Sequence, residues 1–331
     1  MLFFATRRCE WVAMAIAILL GVGCGGGNSA STVPPGPTLQ QQVQAATETA
    51  NNTSDCTTIE PFYWEIGDTS GTLVSGQVGT PVVDPGAPLS IASASKWFWG
   101  AYLIEKTSGN LTANQQDSLR MLTGYNTFNS FSCALTLTVQ ACANAGQNNV
   151  QDGSAIGKFY YTGGDDQQQA IAEGLGAYSD GALANELETY LGSDLALGYG
   201  SPDLAGGMRI TPKTEAAFLQ KIVAGRLKIH DYLGVNPVCT NPSTCSTALY
   251  SPVPSSTSWH YSYNHWIEDD PATGDGAFSS PGLFGTYPWI DKTKTYYGVV
   301  ARYSTASQAY IQSAYCGAKI RKAFVTAIPQ S

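Results

Sequence analysis

Charge is scarce in this 331-residue chain, and what is present is mostly negative. Only 13% of the residues are charged, with 17 basic against 25 acidic side chains and a formal net charge of −8. No run of Lys and Arg occurs anywhere in the sequence. Because nucleic-acid binding depends on clustered positive charge, these absences argue against a nucleic-acid partner.

Three signatures of catalysis or metal binding are also missing. Without a Gly-x-Ser-x-Gly sequence, the nucleophile turn of an α/β-hydrolase is unsupported. The chain lacks His-Glu-x-x-His, the zinc motif of many metalloproteases. It has no Cys-x-x-Cys pair, and its three histidines do not cluster with its cysteines. We therefore expect no metal site.

Residues 1–24 have the organisation of an export signal. Two arginines precede an apolar run over 11–20, which is shorter than a membrane-spanning helix requires. Cys24 follows small residues and precedes three glycines, as in a bacterial lipoprotein signal, although Gly21 stands where Leu is usual. We expect export to the periplasm or outer membrane with a lipid anchor on Cys24, and plain secretion is the alternative.

Export would place the remaining cysteines in an oxidising compartment, which favours disulfides. Six cysteines are left when Cys9 and Cys24 are set aside. Two pairs would close short local loops, and the third follows by elimination, although other pairings stay open. The expected disulfides are Cys133–Cys142, Cys239–Cys245 and Cys56–Cys316.

Composition divides the rest of the chain into a tether and a folded domain. Residues 25–55 contain Gly, Ser, Pro, Gln, Ala and Thr with almost no large apolar side chain, which predicts a flexible tether. The folded domain is expected over 56–331. Within it, strand patterns flank mainly helical ones, with strands at about 56–90 and 255–331 and a helical insertion at about 91–254.

Both ends of the folded domain contain strand signals. Alternating stretches at 62–68 and 69–76 surround an Asp-x-x-Gly turn, which predicts a β-hairpin. Strand patterns recur at 285–291 and 295–303, and 308–328 has a helical period. This order predicts an α+β fold in which a sheet joins both chain ends and the active site lies where sheet and helical region meet.

The most informative motif is Ser93-Ala94-Ser95-Lys96, at the front of an apolar, helix-compatible segment. Residues three apart share one face of a helix, so the Lys96 amine can reach Ser93 Oγ. Serine is a poor nucleophile until an adjacent base takes its proton. The apolar surroundings over 97–104 disfavour a charged ammonium and so suit Lys96 to be that base. In a first helical turn, free backbone N–H groups would also face the developing oxyanion.

This arrangement of hairpin, Ser-Ala-Ser-Lys helix, helical insertion, Gly-x-Phe-Gly-x-x-x-Trp-Ile-Asp strand, second strand and terminal helix resembles the serine β-lactamase and penicillin-binding-protein superfamily. Its class C and esterase-like branch is the more similar one, and the resemblance covers about 58–328. It implies a β-lactamase/transpeptidase-like α+β fold with an antiparallel sheet. It also implies an acyl-enzyme on Ser93, formed without a metal or cofactor.

The second motif of that superfamily, Tyr-x-Asn, corresponds to Tyr161-Thr162-Gly163. By this resemblance Tyr161 shares the role of base with Lys96, and Tyr160 is the alternative in a shifted register. Gly163 replaces the asparagine that would hold the acylamide of a substrate, so recognition of that group is weakened.

The third motif, Lys-Thr-Gly or His-x-Gly, corresponds to Ser280-Pro281-Gly282, which contains no cation. The resemblance places Pro281 on an edge strand, where proline is tolerated. It implies that the Leu283 N–H completes an oxyanion hole with the Ser93 N–H, and that Gly282 lets the substrate approach the backbone. Ser280 and Gly282 are thus expected in the pocket.

An aromatic segment over 259–266 precedes this motif. It either lines the substrate pocket, with Trp259 stacking on substrate and His260 or His265 replacing the absent cation, or is a strand packed with aromatic side chains. The resemblance as a whole implies an exported serine hydrolase for a small-molecule or cell-wall-derived ester or amide. A β-lactamase or D-Ala-D-Ala peptidase is one alternative, and a non-catalytic cell-surface binding lipoprotein is another.

Overall fold

The computed structural model describes residues 36–331. The predicted signal peptide and its Cys24 lie outside these residues. Within the described range, no helix combines the length and apolar character needed to cross a membrane. The helices are α1 (Leu39–Asn52), α2 (Ser54–Thr57), α3 (Ser95–Lys106), α4 (Ala113–Ser118), α5 (Val139–Ala143), α6 (Gly164–Ala172), α7 (Asp180–Leu191), α8 (Pro212–Val223), α9 (Ile229–Tyr232) and α10 (Ala309–Thr326).

One antiparallel sheet of eight strands joins both ends of the folded domain, in the order β2-β1-β12-β11-β10-β9-β8-β6. The strands are β1 (Phe62–Asp68), β2 (Gly71–Val78), β3 (Leu89–Ser90), β4 (Phe159–Tyr160), β5 (Arg209–Ile210), β6 (Val238–Cys239), β7 (Ala248–Tyr250), β8 (His260–Ser262), β9 (His265–Glu268), β10 (Ala277–Ser279), β11 (Tyr287–Ile290) and β12 (Tyr297–Ala301). The last strand, β12, lies between β1 and β11 and pairs with both. The predicted α+β fold, with an antiparallel sheet from both chain ends, is confirmed.

Strand β1 is buried almost throughout, whereas its hairpin partner β2 is only half-buried. The sequence of β1 explains this, because its aromatic and β-branched side chains Phe62, Trp64 and Ile66 suit a pleated surface covered on one face, and Tyr63 and Glu65 lie buried on the other. Tyr63 donates to Glu65 Oε2 (2.5 Å), which satisfies the buried carboxylate.

The prediction of a flexible tether is wrong for the residues of α1, because these residues form an ordered helix. Thr38 and Gln41 form a reciprocal capping box at its start. The small buried residues on one face, such as Ala46 and Ala50, let α1 pack closely against α10. Gln330 N–H also donates to Thr49 Oγ1 (2.9 Å). Ala, Gln and Thr in this segment therefore form a close-packed helix surface.

The predicted boundary of the helical insertion also differs from the structure. Strand β6 falls inside the 91–254 range but forms the outer edge of the main sheet, next to β8. The same range contributes to two small sheets, β3 with β5 and β4 with β7. These strands have two or three residues each, too few for a visible alternation of apolar and polar side chains.

Helix α10 is fixed to the sheet by a buried ion pair. Arg321 is 2% exposed, and its guanidinium donates to Glu268 Oε2 (2.7 Å), Asp275 Oδ2 (2.8 Å) and the Tyr287 hydroxyl (2.6 Å). The cysteines of the described residues lie in the three expected pairs: Cys56 with Cys316, Cys133 with Cys142, and Cys239 with Cys245. The first of them connects α2 to α10.

Helix α3, which follows the Ser-x-x-Lys motif, is buried on all sides over most of its length. Its aromatic residues carry this packing, for example Phe98, whose ring centroid lies 3.8 Å from that of Phe218 on α8. A helix packed on every face has little freedom to shift. The nucleophile motif therefore lies at the front of a rigid element.

Candidate active site

Ser93 lies in a 3₁₀ turn over Ala92–Ala94, directly before α3. Ala92 has a φ of 45°, a left-handed conformation that costs a non-glycine residue free energy. Two side chains hold the turn: Ser95 Oγ donates to Ala92 O (2.6 Å), and Ser280 Oγ donates to Ser93 O (3.2 Å). The backbone is thus held in a strained conformation that leaves Ser93 partly exposed at a cavity.

Lys96 is buried, at 3% exposure, and its amine lies beside Ser93. Lys96 Nζ is 3.3 Å from Ser93 Oγ and donates to Ala205 O (3.0 Å). Asp203 Oδ1 accepts from Ala205 N (2.9 Å), which helps to hold the backbone at this residue. Lys96 forms no salt bridge with a described residue. The amine is therefore positioned by neutral groups, within hydrogen-bond reach of the Ser93 hydroxyl.

Buried acids nevertheless surround this region. Burial raises the pKa of Asp166 to about 8 and that of Asp165 to about 7, with the positive charge of Lys96 opposing both shifts. Burial also raises the pKa of Asp203. Asp165 and Asp166, whose raised pKa values lie near neutral pH, are therefore not permanent ion-pair partners for an amine.

Of the two candidate tyrosines, Tyr161 is the one beside the lysine. Lys96 Nζ lies 4.8 Å from the centroid of the Tyr161 ring, over its face. Tyr160 instead packs on Tyr250, with ring centroids 5.1 Å apart. Both tyrosines line the cavity, but the contact between lysine and ring favours the register in which Tyr161 belongs to the second motif. The ring of Tyr161 is held against Trp266 at 5.2 Å.

The absence of asparagine at position 163 has a steric cause. A Cβ on Gly163 would lie 2.7 Å from the Phe128 ring and 2.7 Å from Ala205 Cβ. Both contacts are closer than real side chains tolerate, so no larger residue fits at this position. Phe128 thus lies beside the residue that replaces the superfamily asparagine.

The third motif lies in a loop between β10 and β11, and this changes two of its predicted roles. Strand β10 is an interior strand, and Pro281 follows it in the loop, so the expectation of an edge strand is wrong. A Cβ on Gly282 would overlap Ile91 O and lie 2.7 Å from Thr286 Cγ2. Gly282 is therefore needed for close contact with the backbone before Ser93, not for approach of the substrate.

The same loop carries Leu283, the predicted second oxyanion donor. Leu283 is 40% exposed and lines the cavity beside Ser93. Its N–H donates to no backbone oxygen of the described residues, so it is available to a substrate. Gly282 N–H donates to Thr286 O (2.8 Å), and Thr286 Oγ1 donates to buried Glu215 Oε2 (2.8 Å). These two hydrogen bonds hold the loop in place.

Two other predicted pocket residues lie elsewhere. His260 does not line the cavity, because its Nδ1 is paired with Asp269 at 2.9 Å and its side chain is 39% exposed. Ser280 is buried and supports Ser93 O without lining the cavity. Trp259 and Gly163 do line it. His265, the other candidate histidine, is fully buried, and burial lowers its pKa to about 4.

The cavity in front of Ser93 has a volume of about 430 Å³. Of the described residues that line it, Lys96 is the only one with a charged side chain. Sequence reasoning missed several wall residues because they come from distant loops, namely Phe128, Ser130, Tyr250, Tyr310 and Ile311. No motif marks them. Trp266 belongs to the aromatic segment that the sequence offered as a pocket wall. Among residues 36–331, no cluster of His, Cys, Asp and Glu is suited to a metal ion.

Comparison with solved structures shows that the fold of this chain is a known one. The structure of EstCE1, a hydrolase with promiscuous acyltransferase activity, matches with a TM-score of 0.57 and 13% identity, over 87% of this chain and 98% of the other. A D-stereospecific amidohydrolase from Streptomyces sp. matches with a TM-score of 0.55 and 12% identity, over 85% and 99% of the two chains.

A penicillin-binding protein from Bacillus halodurans has a TM-score of 0.55 and 12% identity, over 77% of this chain and 94% of its own. No protein-family model matches the sequence, and no curated protein matches it significantly. At such low identity the similarity shows the fold alone. The activity has to be inferred from the residues of the site. The chain therefore has the fold of the serine β-lactamase and penicillin-binding-protein superfamily, as its sequence motifs predicted.

Proposed function

We propose that the protein is an exported serine hydrolase that cleaves an uncharged ester through an acyl-enzyme on Ser93. The observation that carries this proposal is the 3.3 Å separation between Lys96 Nζ and Ser93 Oγ at the wall of an open cavity. A nucleophile within hydrogen-bond reach of its base, with a cavity for substrate in front of both, is the minimal arrangement for nucleophilic acyl transfer.

Acylation uses four residues of the site. Ser93 Oγ attacks the carbonyl carbon while its proton passes to the Lys96 amine. The carbonyl oxygen becomes an oxyanion, which accepts hydrogen bonds from the N–H groups of Ser93 and Leu283. When the tetrahedral intermediate collapses, the bond to the leaving oxygen breaks and the alcohol departs with the proton from Lys96. Tyr161, against the amine, relays this proton through its hydroxyl.

Deacylation repeats these steps with water. A water molecule attacks the acyl carbonyl and gives one proton to Lys96 through the Tyr161 hydroxyl. The bond to Ser93 Oγ then breaks, Ser93 recovers a proton, and the carboxylic acid leaves. In this proposal every step uses groups of this chain and water alone.

The cavity supports an ester over a β-lactam or a D-Ala-D-Ala terminus. Those substrates carry a carboxylate, and neither the loop 280–282 nor the rest of the described wall offers a cation apart from Lys96. Gly163 provides no amide to hold an acylamide. Leaving a carboxylate unpaired in an apolar site carries a large free-energy cost. An uncharged ester incurs none of it.

Intact-mass spectrometry of the mature domain after exposure to a fluorophosphonate tests this proposal, with a penicillin in parallel. We expect one adduct from the fluorophosphonate on the wild type and on Ser307→Ala, which removes an exposed serine, and none on Ser93→Ala. Adducts from both reagents would instead support a penicillin-recognising enzyme. The absence of any adduct would contradict the proposal and favour a binding lipoprotein.

Export and anchoring through Cys24 are part of the same proposal, based on the N-terminal sequence pattern. Cell fractionation with radiolabelled palmitate tests them. Label on the wild type and none on Cys24→Ser would support lipidation, whereas an unlabelled secreted protein in both cases would support plain secretion.

A further inference from the structure

A charge-free surface segment adjoins the proposed active site. Residues 121–151 contain no Asp, Glu, Lys, Arg or His. Within this segment Phe131, Leu135 and Leu137 are 73%, 96% and 81% exposed, the three most exposed large apolar side chains among residues 36–331. We call these three residues the apolar patch. Exposed large apolar side chains that lie this close together along the chain commonly mark a binding site.

The segment that carries the patch is held in place. The Cys133–Cys142 disulfide crosses it, and both cysteines are fully buried. Asn148, 1% exposed, donates to Cys142 O (3.0 Å) and accepts from Asn129 N (2.7 Å). A segment fixed at these points cannot easily fold its apolar side chains inward, so they stay in water when no ligand is present.

The patch begins at the wall of the cavity. Phe128 and Ser130 line the cavity in front of Ser93, and Phe131 is the next residue along the chain. Cavity and patch also share a chemical character, because the cavity wall is rich in aromatic side chains and Lys96 is its only described charged side chain. Apart from Lys96, neither surface offers a charged partner to an ionic group, which favours a ligand that is neutral and apolar.

We infer that the substrate is a neutral ester with a long apolar chain, whose ester group reaches Ser93 and whose chain extends beyond the cavity onto the apolar patch. This inference rests on the proposed function and specifies its substrate class. Burial of the chain against the patch would strengthen binding in proportion to the apolar area removed from water. A short acyl group stays in the cavity, so the patch does not strengthen its binding.

Hydrolysis of p-nitrophenyl acetate and p-nitrophenyl dodecanoate by the wild type and by a triple variant, Phe131→Ser with Leu135→Ser and Leu137→Ser, tests this. We expect kcat/KM for the dodecanoate to fall by roughly ten- to a hundred-fold, and that for the acetate by less than about twofold. The control variant Val82→Ser removes another exposed apolar side chain, 67% exposed and outside the cavity wall, and should change neither value. An equal fall for both esters would overturn the inference.

Calorimetric binding of 1-dodecanol to Ser93→Ala protein, with and without the three patch substitutions, separates this inference from the catalytic proposal. Weaker binding to the patch variant supports the patch even if the wild type hydrolyses no ester, in which case only the proposed function fails. Equal dodecanol affinity overturns the patch as a chain-binding surface. Equal affinity together with a dimeric wild type and a monomeric patch variant would assign the patch to contact between two copies.

Discussion

Substitution of Gly282 by Ala tests the position of the oxyanion donor. The added Cβ would overlap Ile91 O, and Ile91 O cannot move freely because it accepts the Ala94 N–H (3.1 Å) inside the turn that carries Ser93. On its other side the Cβ would lie 2.7 Å from Thr286 Cγ2. The loop must therefore move away from the nucleophile turn, and the Leu283 N–H moves with it.

The displacement needed to relieve this overlap is about 1 Å, and a misplacement of that size costs roughly a hundredfold in rate. Loss of one oxyanion donor costs about 10²–10³ in kcat, or about 2.7–4 kcal/mol. We therefore expect Gly282→Ala to lower kcat for a short p-nitrophenyl ester by about a hundredfold. KM should change little, because the hydrogen bond from Leu283 strengthens only as the oxyanion forms.

Steady-state kinetics on protein with an unchanged circular dichroism spectrum provides the measurement. Gly181→Ala is the matched control, since a Cβ on Gly181 in α7 meets no atom within 4 Å. That variant should keep wild-type kcat. A folded Gly282→Ala protein with kcat within about threefold of wild type would refute the placement of the oxyanion hole between Ser93 and Leu283.

Three further substitutions test other parts of the structure. Lys96→Met should slow acylation of Ser93 by about 10²–10⁴-fold, measured as the rate of fluorophosphonate labelling, and a rate near wild type would exclude Lys96 as the base. Burial raises the pKa of Glu215 to about 8, so the folded state holds a proton that the unfolded state loses near pH 4. This stabilisation is complete below pH 4 and is lost as the pH rises to 8. Glu215→Gln should therefore gain stability relative to wild type between pH 5 and 8, by up to about 1.4 kcal/mol per pH unit in urea unfolding, whereas parallel pH profiles would contradict the buried proton. Arg321→Met leaves Glu268 buried without its cation and should cost about 3–5 kcal/mol in the same assay, and a loss under about 1 kcal/mol would show that water reaches the carboxylate.

The strands and helices with strong local patterns were predictable from the sequence. The hairpin expected at 62–76 is β1 with β2, and the terminal helix expected at 308–328 is α10. In both cases alternation or helical period repeats over many residues, and turn residues mark the ends. The structure differs where the pattern is short or where small polar residues do the packing, as in β6 and α1.

The capping box of Thr38 and Gln41 is the signal that could have identified α1, since the side chains of a helix start are readable in sequence. Its buried face consists of Ala, Gln and Thr, which also dominate flexible linkers. Composition alone therefore cannot separate the two states. The decision depends on the surface of α10, which is distant in sequence.

The residues of the candidate site also differ in whether their positions could be predicted from the local sequence. Ser93 and Lys96 are three residues apart, so their proximity follows from local geometry. The roles of Gly282 and His260 depend on which backbone or carboxylate lies opposite them, here Ile91 and Asp269. Neighbours that are distant in sequence cannot be predicted from the spacing of residues within a motif.

The place of β12 in the sheet determines when this site can form. The first hairpin attaches to the rest of the sheet through β12, which lies at residues 297–301, and Ser93 is supported by Ser280, 187 positions later in the chain. During synthesis from the N-terminus, the motif that holds the nucleophile emerges long before the strand that completes its surroundings. A growing chain therefore contains Ser93 and Lys96 without the Leu283 amide beside them. Hydrolytic activity should arise only when nearly the whole polypeptide has emerged.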